Sequence, residues 1–154
     1  MAVTSILDMD AQRASASIRI NASAKTIFDL LADPSKHALF DGSDSVKKAD
    51  PQRLALGSTF SVNMAIKVLP YRIGNTVVEF EDDRLIAWHH MGKHSGRYEL
   101  EPIDDTTTLV TETFDWSLSQ IAPALLAAGY PKRNLESIEK TLERLRQVVE
   151  QPAE

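Results

Sequence analysis

From Ser45 to Trp116 the chain carries six strand patterns in succession, and one long amphipathic helix closes the sequence behind them. The patterns fall at Ser45–Ala49, Ser58–Lys67, Tyr71–Glu81, Leu85–Met91, Gly96–Glu101 and Thr108–Trp116. Pro51, Gly57, Pro70, Asp82-Asp83, Gly92 and Asp104-Asp105 punctuate them and leave connections too short for crossover helices. An antiparallel meander is the arrangement this spacing permits. The helix, Lys132 to Glu150, sets Leu135, Ile138, Leu142, Leu145 and Val149 at intervals of 3, 4, 3 and 4, a single apolar stripe. A helix that long has to bury its stripe, and the sheet is the surface large enough to take it. A dimer seam is the alternative, although the stripe runs for fewer than three heptads.

Ahead of the meander, Ala14, Ala16, Ile18 and Ile20 alternate with Ser15, Ser17, Arg19 and Asn21, which predicts a seventh, half-buried strand. Ser23 is placed to cap a short helix over Ala24–Ala32, with Ile27, Leu30 and Leu31 on its apolar face. Asp33-Pro34 ends that helix, and Pro34 opens a second helical turn through Leu39. Residues 1–12 carry no periodic pattern and are expected to be a mobile arm. The domain is then 13–150, with 151–154 as a tail. Ser117 to Gly129 reads as a loop with a short helix near Ile121 to Leu126.

Composition narrows the function classes. At 154 residues and 43% hydrophobic content, one globular domain is expected. The net charge of −5 argues against a nucleic-acid binder that tracks phosphates and against a polybasic membrane anchor. With no cysteine, disulfides, thiol catalysis and iron–sulfur ligation are excluded. No apolar run approaches the ~20 residues needed to span a bilayer. The N-terminal residues show no basic region followed by an apolar stretch, so a cytoplasmic location is expected.

One residue breaks the alternation. On Thr108–Trp116, Val110, Phe114 and Trp116 share a face, and the parity of Glu112 puts it among them. A carboxylate aimed into an apolar interior is costly unless water or a partner meets it. If the Asp104-Asp105-Thr106 turn has three residues, Leu100 pairs with Val110 and Tyr98 with Glu112. Shifting by one would break both apolar faces. A phenol beside a carboxylate could hold a ligand hydroxyl or carbonyl, or move a proton. It could equally be a satisfied buried pair, or lie in solvent at a cavity mouth. Leu85–Met91 is apolar on both faces. Sending Ile86, Trp88 and His90 inward sets Trp88 beside Tyr98 if the Gly92 turn also has three residues.

Three segments resemble the START-like or SRPBCC (Bet v 1-like) superfamily of polyketide cyclase/dehydrase and lipid-transport type, in an actinobacterial-looking branch. They are FDLLADPSKHALFDGSDSV at Phe28–Val46, RLIAWHH with RYELEP and TLVTETFDW between Arg84 and Trp116, and GYPKRNLESIEKTLERL at Gly129–Leu145. The resemblance implies an α+β helix-grip fold, a curved antiparallel sheet of about seven strands around the C-terminal helix. It also implies an apolar cavity between them. Ligand-binding candidates on that reading are Phe60, Met64, Trp88, His90, Tyr98, Glu112, Phe114 and, from the helix, Leu142. Glu112, Tyr98 and His90 are the candidates for catalysis.

Other polar residues carry less. His89, His90 and His94 do not make a metal site, because neighbouring strand residues face opposite ways and His94 follows a glycine turn. His37 fits a helix end or the rim of the cavity. Asp41-Gly42-Ser43 fits a turn with side-chain capping. No phosphate loop, nucleophile elbow or dinucleotide fingerprint is present, so no cofactor is expected. The expected function is binding or carriage of a small hydrophobic molecule (a lipid, polyketide or aromatic metabolite) by a monomer or homodimer. A cyclase or dehydratase using Glu112 and Tyr98 is the first alternative. A co-chaperone-like interaction module is the second, although Arg97, Glu99, Glu101, Thr111 and Thr113 make the outer sheet face polar.

Overall fold

The computed structural model describes residues 3–43, 46–66, 69–90, 95–118, 123 and 129–150, without the side chains of 47, 48, 64–66 and 130. Eight strands form one sheet: β1 (Thr4–Asp8), β2 (Arg13–Ile20), β3 (Val46–Lys48), β4 (Thr59–Ile66), β5 (Leu69–Glu81), β6 (Leu85–His90), β7 (Ser95–Asp104) and β8 (Thr107–Asp115). Their spatial order is β1-β2-β8-β7-β6-β5-β4-β3, with every neighbouring pair antiparallel. Helix α1 (Ala24–Leu31) and a 3-10 helix (Pro34–Leu39) follow β2, and helix α2 (Tyr130–Glu150) closes the fold. This is the helix-grip α+β arrangement that the sequence predicts.

All seven expected strands are present, and β1 is added to them. Residues 4–8, expected within a mobile arm, pair along β2 from Thr4↔Ser17 to Asp8↔Arg13. All five residues of β1 are exposed, so no alternation marks the strand in the sequence. The expected short helix near Ile121–Leu126 and His94 fall largely or wholly outside the described residues. The β6–β7 register, Trp88↔Gly96 and Ile86↔Tyr98, is shifted by two from the one a three-residue Gly92 turn would give, which keeps the parity but not the expected pairing of Trp88 with Tyr98.

The caps match their chemistry. The Ser23 hydroxyl accepts from Thr26 N–H at the start of α1, and Asp33 accepts from Ser35 N–H ahead of Pro34. Ala14, Ala16, Ile18 and Ile20 of β2 are fully or almost fully buried, and α2 packs across them. Ile138, Leu142 and Leu145 meet that face, with Leu135 and Val149 partly buried beside it. Each fully buried leucine contributes roughly 1.5–3 kcal/mol before chain entropy is counted. The stripe is buried within this chain, which leaves no seam for a coiled-coil partner.

The register between β7 and β8 is the expected one, Leu100↔Val110 and Tyr98↔Glu112, but the turn reaches it differently. Asp104 pairs with Thr107, so the turn itself holds Asp105 and Thr106. A bulge between Pro102 and Asp104 supplies the extra residue and restores the parity that a bare two-residue turn would have broken. A second bulge, between Val77 and Glu79, bends β5 and turns Val78 out to solvent.

Candidate functional site

Between the inner face of β4–β8 and the N-terminal half of α2 lies a cavity of about 250 Å³. It exists because the two surfaces diverge. Along β2 the small side chains of Ala14 and Ala16 let α2 settle closely on the sheet. Toward β6 and β7, Gly96 pairs with Trp88 on one side and Phe114 on the other, with no side chain of its own between the two rings. A Cβ built at Gly96 would meet nothing within 4 Å.

Phe40, Phe60, Tyr71, Trp88, Tyr98 and Phe114 bring aromatic rings to the wall. Trp88 makes an edge contact with Phe60 at 5.5 Å between centroids and a tilted contact with Tyr98 at 5.8 Å. Phe114 stacks on Trp116 at 5.8 Å, and Trp116 is buried behind it. The inward parity expected for β6 holds: Ile86 is buried, while Trp88 and His90 line the cavity.

Within this wall sit Tyr98 and Glu112, cross-strand neighbours. The phenol donates to the carboxyl group, while Glu112 Oε1 is shut off from solvent with no donor. Burial pushes the Glu112 carboxyl up to about 8; the Tyr98 hydrogen bond works against that shift and the charge of Asp41 adds to it. Burial, followed by the charge of Glu112, holds the Tyr98 phenol well above its usual range. Glu112 is therefore predominantly a neutral acid at pH 7.

A second polar pair was not foreseen. Asn75 of β5 is buried opposite His90, and its side-chain oxygen accepts from His90 Nδ1. Asn75 has the inward parity of Ile73 and Val77, the same signal that marked Glu112. His37 is also more central than a rim residue. It is buried, its Nε2 lies 2.9 Å from the Leu31 carbonyl, and its ring stacks on Trp88. A carbonyl can only accept, so Nε2 carries the proton. Burial holds this imidazole below its ordinary range and therefore neutral.

The helix contributes other residues than expected. Leu142 is fully buried in the packed core and does not line the cavity. It lies in the centre of the stripe, in one core cluster with Ala14, Ala16 and Ile18 of β2. Asn134, Ser137, Ile138 and Thr141, spaced i, i+3, i+4 and i+7, face the cavity instead. The side chain of Met64 lies outside the described part of the structure.

The turn Asp41-Gly42-Ser43 fastens one side of the cavity to α2. Gly42 N–H donates to Thr141 Oγ1 at 2.8 Å, and Arg144 donates to the Asp41 carbonyl at 2.6 Å. The approach is close enough that a Cβ on Gly42 would lie 2.2 Å from the Ser137 carbonyl oxygen. Asp41 also accepts from Ser43 Oγ and Val46 N–H, the side-chain capping expected of this turn. Among the described residues, no group of three or more His, Asp and Glu is gathered as a metal site would require.

Known proteins give the following likenesses. A family model for polyketide cyclase / dehydrase and lipid transport matches residues 11–150. Over 151 residues the chain is 35% identical to an uncharacterized protein of Mycobacterium tuberculosis, covering 94% of this chain and 67% of the relative. A solved START superfamily protein from Mycobacterium smegmatis superimposes with a TM-score of 0.67 at 18% identity, covering 89% of this chain and 98% of that one. A polyketide-cyclase-like protein from Corynebacterium glutamicum gives a TM-score of 0.64 at 17% identity, covering 90% of this chain and 91% of that one. At such identities the solved structures speak for the fold.

Proposed function

Because this chain belongs to the polyketide cyclase/dehydrase and lipid-transport family, we propose that it binds a small, largely apolar molecule between its sheet and α2. The observation that carries this reading is a cavity, partly aromatic in its wall, holding a buried Tyr98–Glu112 pair with one carboxyl oxygen unmatched. Concave sites that combine apolar and aromatic side chains with placed polar groups are the usual form of small-molecule sites. At about 250 Å³ the space lies below the ~300–1,000 Å³ of drug-sized sites, which favours a compact ligand. A cytoplasmic carrier, as monomer or homodimer, fits the proposal. Among the described residues, no helix is long and apolar enough to cross a membrane.

The test is native mass spectrometry on gently purified protein, followed by extraction and identification of any retained molecule. A retained apolar ligand, lost on Gly96→Val, supports the reading. Its absence, together with a crystal structure in which side chains fill the cavity, would refute it.

One observation favours a second reading, that of a cyclase- or dehydratase-type enzyme. Glu112 has a carboxyl pushed up to about 8 and a phenol within hydrogen-bond reach, a poise suited to acid/base work near neutrality. Recovery of the extracted ligand unchanged after prolonged incubation with the protein would exclude turnover of that molecule. The interaction-module reading has less to stand on. The outer face of the sheet carries Arg97 paired with Glu79 and Glu99, a solvated charge network rather than an apolar patch.

A further inference from the structure

We propose that the ligand of this cavity carries a protonated amine, seated against Glu112, on a small aromatic or apolar body. This deepens the binding role and rests on it. The first support is the acidic make-up of the wall. Asp41 and Glu112 line the cavity, and among the described lining residues there is no lysine or arginine. A fatty acid or phosphate would meet the charge of Asp41 and a Glu112 that can ionise only to the same sign, with no lysine or arginine among the described lining residues to receive it. The second support is the unmatched oxygen of Glu112. With Tyr98 on one oxygen and no donor on the other, the carboxyl group is half satisfied. Its terminal torsion is soft and roughly two-fold, so rotation presents either oxygen to the cavity. A ligand N–H completes it, and a positive charge gives that bond the strength of a charge-assisted one.

The third support is the arrangement of rings. Trp88 and Tyr98 present π-systems beside the carboxyl group, a setting that stabilises ammonium groups as well as apolar surface. Gly96, paired with Trp88 and with Phe114, leaves open space where a side chain would stand, room for an apolar ring. A bare metal ion is not favoured, since among the described residues no group of three His, Asp or Glu is gathered to hold one.

Seating an ammonium requires Glu112 to ionise, so binding releases a proton wherever the empty site holds Glu112 neutral. The titratable groups facing Glu112 across the cavity are Tyr98 from β7, His90 from β6, Tyr71 from β5, His37 from the 3-10 helix and Asp41 from the turn after it. From α2 come Asn134, Ser137, Ile138 and Thr141, none of which titrates. The Tyr98 phenol stays protonated across neutrality, and burial keeps His37 neutral. The proton release is assigned to Glu112, and Glu112→Gln should abolish it.

Three probes of one shape test this: 2-phenylethylamine, 2-phenylethanol and phenylacetate, followed by tryptophan fluorescence and by amide NMR shifts of cavity residues. The amine is expected to bind at least ~10-fold more tightly than the alcohol at pH 8, with phenylacetate weakest. Its Kd should fall by up to about tenfold per pH unit from 6 to 8 and then level, with proton release in calorimetry across buffers. The alcohol should show neither effect. In Glu112→Gln the amine-to-alcohol affinity ratio should collapse to about one. Equal or tighter binding of the alcohol to the wild-type protein, tight binding of phenylacetate, or a ratio that survives Glu112→Gln overturns the amine assignment while leaving a ligand site. Failure of all three to shift cavity residues at about 10 mM overturns the ligand site itself.

Discussion

The imidazole of His37 lies flat against the indole of Trp88, with ring centroids 5.2 Å apart and planes 16° from parallel. The stack joins the 3-10 helix to the middle of the sheet, and the hydrogen bond from Nε2 to the Leu31 carbonyl ties it to the end of α1. The ring must be neutral to do this without burying a charge.

His37 gives stability an acid limb. Its folded-state pKa lies below the ordinary 6.5, so its contribution is complete above that pH and is lost as pH falls through the depressed value. In urea titrations, wild-type stability should drop as pH is lowered from about 6.5. His37→Phe keeps a ring beside Trp88, and should flatten that drop while losing about 1–3 kcal/mol at pH 7 from the unmatched carbonyl.

Glu112 acts in the opposite sense. Its pKa is raised from 4.5 to about 8, so the folded state binds a proton that the unfolded chain has already released. Stability from this group is complete below pH 4.5 and declines until about pH 8, by at most about 5 kcal/mol at 1.36 kcal/mol per unit. Glu112→Gln should abolish the decline, making the variant more stable than wild type at pH 8 while similar at pH 4.5.

Gly96→Val should leave folding intact and close the cavity. The Cβ enters open space, and a β-branched side chain suits a strand. Thermal melting within about 0.5 kcal/mol of wild type, with ligand or probe binding lost, is the expected pair of results.

Gly42→Ala should be far more harmful than the loss of one hydrogen bond. Its methyl group would collide with the backbone at Ser137 and Thr141, forcing the turn off α2. Destabilisation of roughly 3 kcal/mol or more is expected, against about 1–2 kcal/mol for Thr141→Val, which removes the acceptor of Gly42 N–H.

Leu142→Ala separates core from cavity. A fully buried leucine outside the lining should lower stability by about 2–5 kcal/mol with little change in probe affinity below the melting transition. Ile138→Ala should change both, because Ile138 belongs to the core and to the cavity wall.

Much of this geometry was legible because strands alternate with period two. Parity and register alone brought Glu112 to Tyr98, and the bulge at the β7–β8 turn shows how strongly the apolar faces held that register. The same reading applied to β5 would have found Asn75. The helix was harder to read. A stripe tells which face is buried, not how far the opposing surface stands from each turn, so Leu142 was placed in a cavity that its neighbours line. β1 was silent because an edge strand with every residue exposed has no alternation to display. The stack of His37 on Trp88 joins distant segments through a fold-level contact that local pattern does not encode.

The divergence of α2 from the sheet also bears on how this protein can change. Leu142 and Leu145 are buried in the core, on a helix that packs on β2 and β8, whereas the rings around Gly96 border unfilled space. Substitutions among those rings can reshape the chamber while that anchorage holds the helix in place. One scaffold can thereby acquire a new preference in few mutational steps, each leaving a protein that still folds.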